Sequence, residues 1–175
     1  MQAYYFPAAV VVISLVAVFF SYIRHDDPQK KTPLITLPQF HGKVLRVLDG
    51  DTIDVRDGAG VVHRVRICGM DAPETGQPGG VEAAAALNTV ISGKTVQVES
   101  VEIDAYKRII AYVTMDGQSV GLSMVKAGLA WADRYGKLNR EYIMAEHAAS
   151  GAKKGIWAPA APSPRYPAEF RREGR

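Results

Sequence analysis

Carboxylates stand close together in three short segments of the chain, and the third segment ends in an arginine. These segments are residues 48–52 (LDGDT), 69–74 (GMDAPE) and 104–108 (DAYKR). Taken singly, each is weak: Asp-Gly-Asp is an ordinary tight turn, and the second segment is a loop with two carboxylates and a rigid proline. Together they place Asp49, Asp51, Asp71 and Glu74 at strand ends of one small predicted sheet. Four converging carboxylates repel one another unless a cation or arginines neutralise them.

The accompanying residue types narrow the chemistry. No Cys or His stands in the three segments, so the metal that they predict is hard and oxygen-loving, Ca²⁺ or Mg²⁺ rather than zinc. Arg66 lies five residues before Asp71, and Arg108 ends the third segment. A metal that polarises a phosphate oxygen, a carboxylate that positions or deprotonates water and arginines that stabilise charge are the components of phosphoryl chemistry.

The elements that must position these residues follow from periodicity and turn residues. Alternation and Gly/Asp turns predict five strands, at residues 41–48, 52–56, 61–68, 95–101 and 108–115. In the second strand, the alternation places Ile53 and Val55 on one face. Helices are predicted at residues 81–91, 120–127 and 138–154, each followed by a glycine or Ser-Gly. This order predicts an α+β fold, an OB-type five-stranded β-barrel with three helices, preceded by an N-terminal hydrophobic helix.

The ends of the chain differ from this domain. Residues 1–23 read as an uncleaved transmembrane anchor, since they are apolar with aromatic residues at both ends; a cleaved signal sequence and a buried helix are the alternatives. Residues 24–39 read as a linker, 40–159 as the domain, and 160–175 as an extended tail rich in Pro and Arg. The protein is therefore expected to be membrane-anchored, or secreted if the first segment is cleaved, with the side of the membrane open.

Net charge does not by itself indicate a polyanion-binding surface. The 175 residues carry a formal charge of +3, but residues 32–164 hold 14 basic and 14 acidic side chains, so the excess lies in the flanks. Cys68 is the single cysteine, which excludes an intrachain disulfide and a multi-cysteine zinc site. We expect it, like His63, to be a packed residue and not a ligand.

The motifs resemble those of the staphylococcal (micrococcal) nuclease, or thermonuclease, family. The resemblance runs through about residues 41–158 and is carried, in order, by VLDGDTIDV, RVRICGMDAPE, DAYKRIIAYV, GLAWADRY and GAKKGIWAP. It implies an OB barrel with three helices and Ca²⁺-dependent hydrolysis of DNA and RNA, with little sequence preference, leaving 3′-phosphate ends. It also favours an extracytoplasmic location, and it implies no obligate protein partner.

The resemblance also implies a role for each matching residue. Asp51 and Asp71 would ligate Ca²⁺ together with the backbone carbonyl of Ala72, and Asp49 and Thr52 would support these ligands. Glu74 would hold or activate the attacking water. Arg66 and Arg108 would bind the scissile phosphate and its transition state.

Two departures from the family pattern concern the substrate. Lys107 stands where the family usually has glycine, which bears on how the loop directs Arg108, and residues 75–80 lack the aromatic often found there. Tyr106, Lys107 and Tyr135 are candidate substrate contacts. The alternative function is a non-catalytic OB-fold module that binds nucleic acid or protein; such degenerate domains lack some of the acids and arginines, and all of them are present here.

Overall fold

A closed β-barrel forms the centre of the molecule. The computed structural model describes residues 37, 39–159 and 164–173, and Leu37–Arg175 belong to one compact unit. The five long strands are β1 Gln39–Val47, β2 Thr52–Asp57, β3 Val62–Ile67, β5 Thr95–Ile103 and β6 Ile109–Met115. They are ordered β3-β2-β1-β5-β6, and β3 pairs with β6 to close the barrel.

The pairing follows the turn residues of the sequence. β1, β2 and β3 form an antiparallel meander, β5 pairs antiparallel with both β1 and β6, and β3 and β6 run parallel. The register shifts between Val44 and Arg46 in β1 and between Ser100 and Glu102 in β5. Such bulges bend a strand and increase its twist, which helps a five-stranded sheet to curl back on itself.

Of three short strands, one joins the barrel sheet and the other two form a separate two-stranded sheet. Gln118–Ser119 (β7) pairs with the end of β6. Met70–Asp71 (β4) follows β3 directly and pairs antiparallel with Trp131–Ala132 (β8). The β4–β8 pair holds Asp71 and the loop that follows it against the segment that leads into the last helices.

Four α-helices surround the barrel within the described residues. They are α1 Gly80–Ile91, α2 Val120–Lys126, α3 Arg140–Gly151 and α4 Pro167–Glu173. The Ser119 hydroxyl caps α2 by accepting from the Leu122 amide, and the Asn139 side chain caps α3 by accepting from the Glu141 amide. Single 3₁₀ turns lie at Gly136–Leu138 and Gly155–Trp157.

The core lies inside the barrel and beneath the helices. Ile53 and Val55, expected on one face of β2, are fully buried there. Cys68 is buried as expected, and burial raises the pKa of its thiol to about 12. His63 packs its ring against Phe40 and bonds to the Asp57 carboxylate at 2.8 Å, so it too is a packed residue.

The predicted α+β class and OB-type five-stranded barrel are confirmed. The structure differs from the expectation in the tail, where residues 167–173 form α4 and are not extended. Pro167 starts this helix, a position at which proline costs no hydrogen bond.

The expected membrane localisation must be corrected. Among residues 37, 39–159 and 164–173, no helix is both long enough and apolar enough to cross a bilayer. The hydrophobic helix and anchor predicted within residues 1–23 lie outside the described residues, as does most of the predicted linker. The membrane localisation predicted from the sequence was therefore wrong, since the described residues contain no helix that could span a membrane.

Candidate active site

A cavity of about 400 Å³ opens at one end of the barrel, and all three sequence segments contribute to it. The lining residues are Asp49, Asp51, Arg66, Ala72, Pro73, Glu74, Tyr106, Arg108 and Arg171. Of the nine, only Pro73 and Arg171 were not among the site residues expected from the sequence.

The first segment forms the turn between β1 and β2. Asp49 fixes this turn, since its Oδ1 accepts from the backbone amides of Asp51 at 2.9 Å and Thr52 at 2.7 Å. The Thr52 hydroxyl donates to Asp51 Oδ1 at 2.9 Å. Asp49 and Thr52 therefore hold Asp51 in place.

Gly50 lets this turn approach the second segment. A Cβ at Gly50 would lie 2.6 Å from the Cβ of Ala72 and 2.9 Å from the Cβ of Ala83 on α1. No side chain larger than hydrogen fits there without a shift of the backbone. The close contact is what brings Asp51 to the loop of Asp71 and Ala72, and the Ala72 amide donates to Asp51 Oδ2 at 3.3 Å.

Arg66 joins the two aspartates expected to bind metal. Its Nη1 lies 2.7 Å from both oxygens of Asp51, and its Nη2 lies 2.6 Å from Asp71 Oδ1. Both carboxylates are buried, and the Arg66 side chain is 16% exposed. The guanidinium thus bridges two carboxylates through charge-assisted hydrogen bonds, which are shorter and stronger than those between neutral groups.

Burial and charge act in opposite directions on this cluster. Burial raises the pKa of Asp51 to about 7, although Arg66 counteracts the effect and Asp49 and Asp71 add to it. Burial disfavours the charged form of Arg66, but the carboxylates of Asp51 and Asp71 outweigh it, so the pKa of Arg66 is raised above its ordinary value. Added positive charge at Asp51 would favour its ionised form.

Glu74 lies at the open side of the cavity, with 35% of its side chain exposed. The loop that carries it is fixed by Gln77. The Gln77 side-chain oxygen accepts from the Glu74 backbone amide at 3.2 Å, and the Gln77 backbone amide donates to the Glu74 carbonyl at 2.8 Å. Gly80 then begins α1 so close to this loop that a Cβ would lie 1.9 Å from the Glu74 carbonyl oxygen. The loop is therefore held on two sides.

The third segment is a tight turn organised by Asp104. Its Oδ1 accepts from the backbone amides of Tyr106 and Arg108, both at 2.9 Å, and its Oδ2 accepts from Arg108 Nε at 2.7 Å. Lys107 has a φ of 62°, so the position where the family usually has glycine keeps the left-handed conformation that glycine adopts freely. Asp104 thus directs Arg108 despite the substitution.

The three candidate substrate contacts are not equivalent. Tyr106 lines the cavity, is 72% exposed and lies beneath the Arg108 guanidinium, 5.5 Å from it. Lys107 and Tyr135 are not among the lining residues; Tyr135 packs its ring under Arg134 and accepts a hydrogen bond from it at 2.7 Å.

Asp133 is a structural residue that the sequence reading did not single out. Its Oδ1 accepts from the amides of Tyr135 and Gly136, both at 2.8 Å, and its Oδ2 accepts from the Gly69 amide at 3.3 Å. These bonds tie the GLAWADRY segment to the start of the second segment. The Asp-x-x-Gly spacing, typical of a side-chain-capped turn, is the signal that could have identified it.

Arg171 is the functional candidate that the sequence reading missed. It comes from α4, and its Nη1 and Nη2 lie 3.4 and 3.2 Å from the two oxygens of Asp71, while Nη1 also pairs with Glu74. The arginine-rich tail gave no spacing signal for it, because Arg171 lies 100 residues from its partner Asp71 in sequence.

The oxygen atoms around Arg66 are suitable ligands for a hard cation. Among the described residues no group of three or more His, Cys, Asp and Glu side chains forms a metal cage. Asp51 and Asp71 nevertheless come within reach of one guanidinium, and Ala72 lies beside them. Two carboxylates and a backbone carbonyl are oxygen ligands of the type that Ca²⁺ and Mg²⁺ take, with water or phosphate oxygens at the other positions.

The chain is similar to known proteins over most of its length. The family model described as staphylococcal nuclease homologue matches residues 64–159. An "Uncharacterized endonuclease" of Escherichia coli is 39% identical over 127 residues, covering 71% of this chain and 81% of the relative. The "Micrococcal nuclease" of Shigella flexneri is 35% identical over 147 residues, covering 78% of this chain and 83% of the relative. The "Thermonuclease" of Staphylococcus intermedius is 33% identical over 159 residues, covering 85% of this chain and 94% of the relative. With the barrel, the paired aspartates and the arginines in place, the chain belongs to the staphylococcal nuclease family of phosphodiester-cleaving hydrolases.

Proposed function

We propose that the protein is a Ca²⁺-dependent nuclease that hydrolyses phosphodiester bonds of DNA and RNA with little sequence preference and leaves 3′-phosphate ends. The observation that carries the proposal is the arrangement of Arg66 between Asp51 and Asp71, in a cavity that Glu74 and Arg108 also line. Relatives named nuclease and endonuclease, each covered over most of its length, support the same reaction.

The metal would be held by Asp51, Asp71 and the carbonyl of Ala72. When bound there, Ca²⁺ supplies charge that polarises a phosphate oxygen and stabilises the developing negative charge. In this structure Arg66 neutralises the same two aspartates, and its guanidinium would have donors available for phosphate if a cation took over that neutralisation. Asp49 and Thr52 keep Asp51 in place through their hydrogen bonds to its backbone and side chain.

The side chains of the cavity then have separate tasks. Arg66 and Arg108 bind the phosphate and neutralise charge that builds up on its oxygens as water attacks. Glu74 holds the attacking water and accepts its proton. The new bond forms between the water oxygen and phosphorus, the bond to the 5′ oxygen breaks, and that oxygen takes a proton from solvent, which leaves a 3′-phosphate. Tyr106, exposed at the edge, offers a ring on which a base can stack.

Hydrolysis of single-stranded DNA and of RNA by the full chain tests the proposal. Activity should require Ca²⁺ and disappear with a chelator, and Arg66→Ala or Glu74→Gln should lower the rate at least about a hundredfold. Arg64→Ala is the matched control, because Arg64 lies on the same strand but is half-exposed and pairs with Asp54 outside the cavity. Release of inorganic phosphate from the products by a 3′-phosphatase reports the predicted ends.

Two results would contradict the proposal in different ways. Unchanged rates in Arg66→Ala and Glu74→Gln would remove the assigned roles. Binding of oligonucleotides without hydrolysis under any divalent cation would instead favour the non-catalytic binding module.

A further inference from the structure

Residues 164–173, which we call the C-terminal arm, are fastened to the domain near the cavity. The Tyr166 hydroxyl donates to the Ala132 carbonyl at 2.8 Å, and its ring packs against Trp131 with centroids 5.7 Å apart. Lys137 Nζ lies 4.9 Å from the centre of the same ring, and Pro167 is buried. Tyr166 therefore anchors the arm to β8, the strand that pairs with β4.

A second attachment lies beside Glu74. The Gln77 side-chain nitrogen donates to the Arg165 carbonyl, and its oxygen accepts from the Glu74 amide. Gln77 is buried, at 5% exposure, so these bonds are shielded from water. The same residue thus fixes the Glu74 loop and the start of the arm, and neither attachment involves the Arg171 side chain.

Arg171 reaches the cavity from this fixed arm. Its guanidinium bridges Asp71 and Glu74, as that of Arg66 bridges Asp51 and Asp71. Two arginines therefore alternate with three carboxylates, and both line the cavity. Arg171 is the more accessible of the two, with 40% of its side chain exposed against 16% for Arg66.

Position and chemistry together indicate what this side chain can bind. Arg66 and Arg171 both bond to the Asp71 carboxylate, and this pairing would weaken if Asp71 held a cation, because the cation would neutralise the same charge. Because Tyr166 and Gln77 hold the arm independently of the Arg171 side chain, Arg171 would stay at the cavity if its pairing with Asp71 and Glu74 weakened. A planar guanidinium with free donors is well suited to a phosphate oxygen pair.

We propose that Arg171 is a further substrate-contacting residue, a third arginine that binds a backbone phosphate of the nucleic acid beside Arg66 and Arg108. The proposal rests on the proposed nuclease function. It makes the C-terminal arm a wall of the active site, and it distinguishes Arg171 from the neighbouring Arg172, whose Nε donates to the Ala168 carbonyl of its own helix.

The experiment compares the full chain with Arg171→Ala, Arg171→Lys and the control Arg172→Ala. Binding of a fluorescent single-stranded phosphorothioate oligonucleotide, which carries the charge of DNA and resists hydrolysis, is followed by anisotropy with Ca²⁺ present. Arg171→Ala should weaken binding and raise KM about tenfold, the loss of one charge-assisted contact. Arg171→Lys should recover part of the affinity, since it keeps the charge but not the planar pair of donors. Arg172→Ala should stay close to wild type.

Salt dependence adds a readout that a purely structural role would not move. One phosphate contact fewer on a single strand should reduce the slope of log Kd against log salt by about 0.7 for Arg171→Ala. Thermal unfolding, measured on the same samples, shows whether Arg171→Ala remains folded. If Arg171→Ala is unfolded, binding and its salt dependence are compared between Arg171→Lys and wild type instead.

Four outcomes separate the possibilities. Weaker oligonucleotide binding together with the smaller slope supports a phosphate contact. Unchanged binding and slope with faster turnover would overturn it, because Arg171 would then only block the carboxylates. Values for Arg171→Ala equal to those of Arg172→Ala would also overturn it. If wild type shows no hydrolysis, the proposed nuclease function fails, while the binding comparison still decides the role of Arg171.

Discussion

Arg66 and Arg108 are held in the cavity by different means. Arg66 belongs to the barrel strand β3 and is fixed by two buried carboxylates, so its position depends on the core of the domain. Arg108 precedes β6, and its side chain is held by hydrogen bonding to Asp104, which also makes the turn. The second arrangement is local and is therefore easier to disturb without unfolding the protein.

Asp104→Ala should reduce activity by freeing Arg108. The substitution removes the acceptor of two backbone amides and of Arg108 Nε, so the guanidinium loses its fixed direction. We expect kcat to fall about tenfold, because misplacement of a charge-stabilising group weakens transition-state contacts. Asp57→Ala is the control, since Asp57 accepts from the Ala59 and Val61 amides in an equivalent turn between β2 and β3. Equal losses in both variants would contradict a specific role for Asp104.

Lys107→Gly should stabilise the fold. Lysine at a φ of 62° is strained, and glycine adopts that angle without steric cost, so the free energy of unfolding should rise by about 0.5–1 kcal/mol. Lys153→Gly, at a φ of 53° just after α3, should give a similar gain. Urea denaturation measures both. Activity distinguishes the two variants, because a lower rate in Lys107→Gly alone would indicate that the Lys107 side chain contacts substrate. Destabilisation by either substitution would contradict the backbone strain inferred at that lysine.

At the scale of elements, the site is formed where a turn, a loop and a helix meet. The β1–β2 turn carries Asp49 and Asp51, the loop after β4 carries Ala72 and Glu74, and α1 packs behind both. Gly50 is the point of contact, with Ala72 and Ala83 both less than 3 Å from where its Cβ would be. Such a distance is below normal van der Waals contact, so the three elements can meet only because this residue has no side chain.

Gly50→Ala should move Asp51 away from Asp71 and Ala72, the residues proposed to hold the metal. The new methyl group meets two Cβ atoms that cannot rotate away, so the turn must move from the Ala72 loop. We expect activity to fall about tenfold or more and half-saturation by Ca²⁺ to need a higher concentration, with a loss of about 1–3 kcal/mol in stability. Gly58→Ala, in the next turn and with no atom within 4 Å of its Cβ, is the matched control. Calcium titrations of hydrolysis for both variants test this, and coincident curves would rule out the contact.

At the scale of the whole molecule, barrel closure brings the arginines together. β3 and β6 are far apart in sequence, but their parallel pairing places Val65 opposite Ile109 and Arg66 opposite Ile110. Paired strands lie about 4.8 Å apart, so Arg108, which precedes Ile109, is delivered next to the strand of Arg66. The two phosphate-binding candidates are thus neighbours only in the closed barrel.

Calcium should stabilise the folded protein as a whole. A ligand that binds the native state but not the unfolded chain adds about 2.7 kcal/mol at a hundred times its Kd, which raises Tm by several degrees. Asp51→Asn should abolish most of this shift. Asp54→Asn should retain it, because Asp54 is also buried on β2 but pairs with Arg46 and Arg64 outside the cavity. Thermal unfolding with calcium and with chelator measures the shift; a full shift in Asp51→Asn would show that calcium binds elsewhere.

Much of the site was determined by the sequence itself. The spacing from Arg66 to Asp71 and Glu74 is short and lies within a strand and its following loop, so local geometry fixes it. Alternation predicted the buried face of β2, and the turn residues predicted the order of strands, from which the barrel follows. Lys107 at a left-handed position also follows from the local turn that Asp104 makes.

Tertiary structure alone decided the contacts between distant segments. Nothing local in the tail indicates that Arg171 pairs with Asp71, since that contact depends on the packing of Tyr166 against Trp131 and on the bond from Gln77 to Arg165. Likewise, Tyr135, a candidate substrate contact, lies within a turn fixed by Asp133 and packs against Arg134, and it is not among the residues that line the cavity. Sequence periodicity reports which face of an element is buried, but long-range packing selects the side chains that share a cavity.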